Sequence, residues 1–211
     1  MSNIIHDWII DYLREQQDER SEKLAELEKQ AKAENIPVIE PELGNLLDVL
    51  VKIHKPDKIL ELGTAIGYST LWLNKSFSGQ LTTIEINDRV AQEARDNFAE
   101  LGYDNIEVLA GDALEILPEI EKRFDLIFID AAKGQYINFL DSALELVTDG
   151  GLIIADDVLF KGIIADDRFY HPRYSTLTRV LREYVDTIMS HPKLDSTIIP
   201  IGDGLAISRK K

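Results

Sequence analysis

Apolar positions change rhythm twice along the chain. Over the first 35 residues they recur at helical spacing, as Trp8, Ile9, Tyr12 and Leu13, then as Leu24, Leu27 and Ala31. Acids and bases fill the positions between, which predicts amphipathic helices with solvated outer faces. Pro37 and Pro41 bracket a short extended stretch, Val38-Ile39-Glu40, and another helical pattern runs through Leu43, Leu46, Leu47, Leu50 and Val51. From Lys58 onward short β-branched runs take over: Ile59–Leu62, Leu81–Ile86, Ile106–Leu109, Leu126–Ile129 and Leu152–Ala155. Polar residues hardly interrupt them, as expected of parallel strands buried on both faces. Amphipathic stretches separate them, at Ser69–Lys75, Asp88–Leu101, Ala113–Glu121 and Gln135–Leu146. This alternation predicts an α/β fold with a Rossmann-like, doubly wound sheet. After Asp157 the rhythm breaks into a loop with Lys161–Tyr174 and a helical pattern at Leu177, Val180, Leu181, Tyr184 and Ile188. Two strand-like runs close the chain, Thr197–Ile201 and Leu205–Ser208, joined by Gly202-Asp203-Gly204. A hairpin there adds one antiparallel strand to a mostly parallel seven-stranded sheet. The expected organisation is one domain over 1–211, with an N-terminal helical cap (1–57) and an α/β core (58–211) whose loop near 160–175 overhangs the site.

Length and composition narrow the function classes. At about 150 residues per domain, 211 residues make one domain. Lys and Arg total 23 against 38 Asp and Glu, a net charge of −15. That balance argues against a generic polyanion binder but leaves room for a local basic patch. The absence of cysteine excludes disulfides, thiolate metal sites, Fe–S clusters and Cys nucleophiles. No run approaches the roughly 18 apolar residues of a membrane span. The start carries Asp7 and Asp11 among its apolar residues, unlike the basic opening of a signal peptide. A cytoplasmic protein without a membrane partner is expected.

The first strand runs into Glu61-Leu62-Gly63-Thr64-Ala65-Ile66-Gly67-Tyr68-Ser69. A strand leading through glycines into a helix suits a nucleotide ligand, because glycines let the backbone approach it. Only G-x-x-x-G is present, so the pyrophosphate cradle of a dinucleotide site is incomplete. Glu85 ends the second strand, 22 residues after Gly63, where an acid can accept both hydrogens of a ribose diol. The pair suits an adenosine ligand without a pyrophosphate. It resembles the class I S-adenosylmethionine-dependent methyltransferases. That resemblance implies a cofactor lying over Gly63 and Gly67, its ribose on Glu85, its carboxylate near Ser69, its adenine flanked by Asp112 and Ala113, and Ile39 at the mouth.

The fourth strand ends in Asp130, followed by Ala131-Ala132-Lys133, and the fifth ends in Asp156-Asp157. Ligands of open parallel sheets sit beyond the carboxyl ends of the strands, so these acids converge beside the cofactor pocket. Three carboxylates so close repel unless protonated or met by a cation, and oxygen ligands suit Mg²⁺, Mn²⁺ or Ca²⁺. Near such a cation Lys133 would have a lowered pKa and could serve as general base. Asp-x-x-Lys after one strand and an acidic pair after the next resemble the cation-dependent O-methyltransferases of the catechol and caffeoyl-CoA type, from about Ile36 to Ser208. The resemblance implies Asp130, Asp156 and Asp157 as metal ligands, Asp130 also beside the cofactor, and Lys133 as the base. In that family the third ligand is usually Asn; Asp157 makes the trio −3 instead of −2, which disfavours a developing oxyanion.

Four stretches are similar to a bacterial branch of that family, the tRNA 5-hydroxyuridine methyltransferases. They are Ile36–Glu40, Asp130–Tyr136, Val158–Gly162 and Ile199–Ser208. This implies methylation of the 5-hydroxyl of 5-hydroxyuridine at the wobble position, with the tRNA anticodon loop as partner. Residues 161–182 hold Lys161, Arg168, Arg173, Arg179 and Arg182 against Asp166 and Asp167, a net +3 in an acidic chain. Lys161, Arg173 and Arg179 are the candidate substrate contacts, with Tyr170, His171 and Tyr174 as faces for unstacked bases. Arg209-Lys210-Lys211 adds further positive charge. The competing readings are a small-molecule catechol methyltransferase with the same mechanism, a nicotinamide-dependent dehydrogenase, and a non-catalytic cofactor-binding regulator. Relatives of this kind are often homodimers, and the apolar N-terminal helix could serve such an interface.

Overall fold

A computed structural model describes residues 6–16, 21–169 and 171–211. Three helices come first: α1 (Asp7–Glu15), α2 (Glu22–Glu34) and α3 (Pro41–His54). Ser21 caps α2 by accepting from the Leu24 amide, and Asn35 ends it in a left-handed conformation. Pro41 opens α3, where a missing N–H costs nothing. The α/β part follows as β1 (Lys58–Leu62), α4 (Tyr68–Asn74), β2 (Gln80–Glu85), α5 (Asp88–Glu100), β3 (Ile106–Ala110), α6 (Ala113–Ile116) and β4 (Phe124–Ile129). It continues through α7 (Tyr136–Leu146), β5 (Val147–Ala155), α8 (Ser175–Ser190), β6 (Leu194–Ile199) and β7 (Leu205–Lys210).

The seven strands form one sheet in the order β3-β2-β1-β4-β5-β7-β6. The first five strands are parallel, and β7 runs antiparallel between β5 and β6. The seven-stranded, mostly parallel fold read from the sequence is the one observed. The order reverses between β1 and β4, so loops diverge there and leave a crevice at the strand carboxyl ends.

Alternation along each strand supplies two cores. Leu60, Leu62, Ile127, Ile129 and Ile153 pack under α7 and α8. Ile59, Leu126, Phe128 and Ile154 pack under α3, α4 and α5. Buried on both faces, these strands are mostly apolar, with Glu61 of β1 a buried exception.

The structure corrects three strand ends in the C-terminal hairpin. The last pairing of the hairpin is Ile199 with Leu205, so the connection is residues 200–204 instead of the three expected. Pro200 has no N–H to continue the ladder. At the other end β6 begins at Leu194, and β7 runs on to Lys210. Among the described residues no helix is long and apolar enough to cross a membrane.

Candidate active site

A cavity of about 640 Å³ opens at the crevice, lined by the ends of β1, β2, β4 and β5 and by residues 37–40 from the cap. Ile39, Gly63, Glu85, Asp112, Ala113, Asp130, Lys133, Asp156, Asp157 and Lys161 all line it. Ten residues singled out in the sequence thus meet in one place.

The glycine turn is built by close approach. Gly63 has φ +100°, and a Cβ there would lie 2.1 Å from the Asp130 carbonyl oxygen. Gly67 has φ +91°, and a Cβ would meet the Phe98 ring at 2.5 Å. Gly63 therefore lets the ends of β1 and β4 close on the cavity, while Gly67 admits α5 behind the turn; it does not line the cavity. Glu85 accepts the Ala65 amide at 3.0 Å and the Asn87 amide at 2.9 Å, one on each oxygen. Each oxygen keeps a free lone pair, which is what a ribose diol needs. Asp112 caps α6 through the Leu114 amide at 2.9 Å.

Ser69 is placed otherwise than expected. It is buried and donates to Glu61 Oε1 at 2.6 Å, away from the cavity. Glu61 also accepts from Thr70 at 2.5 Å and Thr83 at 2.7 Å. A fully buried carboxylate is the stronger acceptor, so it captures the hydroxyl. Burial raises the Glu61 pKa to about 7 against the opposing pull of its three hydroxyl donors, and the charge of Asp130 adds to the rise. Sequence reasoning passed over this residue, although it is the one charge inside the apolar run Ile59–Leu62.

The acidic corner is only partly assembled as expected. Lys133 Nζ stands 2.5 Å from Asp157 Oδ2. Burial works to lower the Lys133 pKa, but Asp157, then Asp130 and Asp156, outweigh it and hold the pKa up. Burial drives Asp156 well above the usual carboxylate range, reinforced by the charges of Asp130 and Asp157. Burial likewise raises Asp130; Lys133 opposes this and Asp157 adds to it. Among the described residues no three acidic or imidazole groups are gathered as a metal-holding cluster. Lys133 pairs with the Asp157 carboxylate, and Asp130 and Asp156 are the buried acids beside that ion pair. The donor set itself, three carboxylates lining one cavity, fits an oxygen-loving divalent cation.

Charge in residues 161–182 is largely spent locally, and among the described residues of this segment Lys161 alone lines the cavity. Arg168 pairs with Asp166, Arg182 with Asp167 at 2.7 Å and Arg179 with Glu183 at 3.2 Å. Arg179 lies on the outer face of α8 and does not line the cavity. Arg173 sits over the Tyr174 ring at 5.8 Å, and that ring also meets Phe160 and His171. Tyr170 lies outside the described residues. Lys210 and Lys211 pair with Asp149 and Asp195 at the opposite end of the sheet, away from the cavity.

Comparison with known proteins agrees with this chemistry. The sequence profile of the O-methyltransferase family matches residues 14–211. The catechol O-methyltransferase of Niastella koreensis is 31% identical over 182 residues, covering 81% of this chain and 80% of that protein. The caffeoyl-CoA O-methyltransferase of Stellaria longipes is 28% identical over 224 residues, covering 99% and 91%. The structure of the O-methyltransferase from Bacillus cereus in complex with SAH superposes with a TM-score of 0.85 at 30% identity, covering 95% and 96%. A crevice with a glycine turn, an acid at the end of β2 and a lysine among carboxylates thus meets a family match over nearly the whole chain: the protein belongs to the O-methyltransferase family and is an S-adenosylmethionine-dependent enzyme.

Proposed function

We propose that the enzyme methylates a hydroxyl standing beside a second oxygen, with a divalent cation (Mg²⁺, Mn²⁺ or Ca²⁺) at Asp130, Asp156 and Asp157. We further propose 5-hydroxyuridine at the wobble position of the tRNA anticodon as the substrate, whose 5-hydroxyl adjoins the 4-carbonyl. The observation that carries the chemistry is Lys133, a basic nitrogen held among three carboxylates in the cofactor cavity. When bound, the cation would polarise both substrate oxygens and ease ionisation of the hydroxyl. Lys133 Nζ takes the hydroxyl proton. Glu85 holds the ribose, Gly63 leaves room for the cofactor, and buried Ile39 closes the mouth against water. Orientation by these groups accounts for several of the roughly 7–11 kcal/mol that proximity can supply.

The RNA reading is supported by the four branch-like stretches, by Lys161 at the cavity and by the segment that follows it. Among the described residues neither Lys161 nor Arg173 forms an ion pair, and Phe160, His171 and Tyr174 offer rings beside them. A small catechol is the second reading, favoured by the pairing of Arg168, Arg179 and Arg182 with neighbouring acids and by the catechol O-methyltransferase relative. The deciding assay offers labelled cofactor, Mg²⁺, tRNA bearing 5-hydroxyuridine and a simple catechol. Preferred labelling of the tRNA, lost on Lys161→Glu with Arg173→Glu, supports the RNA reading. Catechol turnover with inert tRNA overturns it and leaves the chemistry standing. Full activity in chelator removes the cation. The proposal includes a homodimer, supported by exposed Trp8, Tyr12 and Leu13 on α1; a monomer by light scattering ends that part.

A further inference from the structure

The turn after β5 is left-handed at Asp157 and tied down on several sides. Asp157 has φ +57°, in the left-handed region that few non-glycine residues enter, Asp among the more tolerant of them. The surroundings here are four hydrogen bonds converging on three consecutive peptide units. The Asp157 amide donates to the Asp156 side chain at 2.7 Å. The Val158 amide donates to the Gly204 carbonyl, and the Leu159 amide to the Asp203 carbonyl, each at 2.9 Å. The fourth comes from the connection that follows the neighbouring strand β4. Tyr136 Oη, fully buried, donates to the Asp156 carbonyl at 2.8 Å.

Tyr136 opens α7, three residues after Lys133 and directly behind the 3₁₀ turn Lys133–Gln135. Its ring is fixed edge-on against Tyr184 of α8, with centroids 5.4 Å apart. The hydroxyl therefore joins the turn that carries Lys133 to the turn that carries Asp156 and Asp157. We infer that Tyr136 is a positioning residue: its hydroxyl, through the Asp156 carbonyl, sets the left-handed Asp157 turn so that Asp156 and Asp157 present their carboxylates to a divalent cation. This rests on the cation reading above. Groups that orient a ligand without touching the metal typically contribute 10–100-fold in metal affinity.

The test is Mn²⁺ binding, followed by electron paramagnetic resonance, in the full-length protein and in Tyr136→Phe. The substitution keeps the ring and its contact with Tyr184 and removes one oxygen. Affinity for S-adenosylmethionine, measured by calorimetry without metal, reports on the glycine turn and on overall folding. Tyr184→Phe removes a buried hydroxyl from the same ring pair and controls for a purely structural effect. The expected result is at least about tenfold weaker Mn²⁺ binding in Tyr136→Phe, with cofactor affinity unchanged and Tyr184→Phe like the parent. Equal Mn²⁺ affinity in parent and Tyr136→Phe overturns the positioning role and leaves the cation reading intact. Equal weakening by Tyr184→Phe also overturns it, since ring packing alone would then suffice. Absence of Mn²⁺ binding in the parent overturns both.

Discussion

Replacing Glu61 by Gln should change how stability depends on pH, in a sign opposite to that of most carboxylates. Glu61 is fully buried among Ser69, Thr70 and Thr83, and its pKa rises from 4.5 to about 7. Below 4.5 the carboxyl is protonated in both folded and unfolded chains and favours neither. Between 4.5 and about 7 the unfolded chain ionises freely while the folded one holds its proton, so stability falls as pH rises. Above about 7 both forms are ionised and the loss levels off. At about 1.4 kcal/mol per pH unit the full loss is about 3 kcal/mol. Gln has nearly the same shape, and the three hydroxyls can rotate to accept from its amide. Urea unfolding of parent and Glu61→Gln at pH 5 and pH 8 isolates the effect, because the raised carboxyls of Asp130 and Asp156 remain in both proteins. The difference in unfolding free energy should move in favour of Gln by about 2–3 kcal/mol between the two pH values. Parallel pH curves would refute the reasoning and mean that the carboxylate is ionised at no cost.

Other predictions follow from the same geometry. Gly63→Ala drives a Cβ into the Asp130 carbonyl at 2.1 Å on a φ of +100°; it should cost about 2 kcal/mol or more in thermal or urea unfolding and abolish cofactor binding by calorimetry. Asp130→Ala and Asp156→Ala should each abolish methyl transfer, measured with labelled cofactor, while cofactor binding partly survives. Asp157→Asn removes the carboxylate that does most to hold up the Lys133 pKa. A base must be neutral to act, so the rising limb of the pH–rate profile should shift to lower pH, and an unmoved limb would mean Lys133 is not the base.

Much of this site was legible because strand ends announce themselves. Gly63, Glu85, Asp130 and Asp156 each close an apolar run, and the parallel sheet brings every such end to one edge. What the pattern could not carry was direction. Nothing local in Ser69 says that its hydroxyl turns to Glu61, since that depends on which buried acceptor lies nearest. Counting charge over 161–182 gave +3, yet Glu183 lies just past that window and takes Arg179, while Asp166 and Asp167 take Arg168 and Arg182. Lys133 and Asp157 were both singled out, but as base and ligand; their ion pair follows from a backbone turn that no periodicity records.

The antiparallel β7, wedged between β5 and β6, also ties the acidic corner to residues remote from it in sequence. The pairings of β1 with β2 and of β2 with β3 join neighbours in sequence, so the glycine turn and Glu85 can be in place early. The Asp157 turn cannot, because its straps are the carbonyls of Asp203 and Gly204, supplied from near the far end of the sheet-forming chain. The acidic corner is therefore braced by the last strand pair, whereas the cofactor shelf is built from pairings within β1–β4.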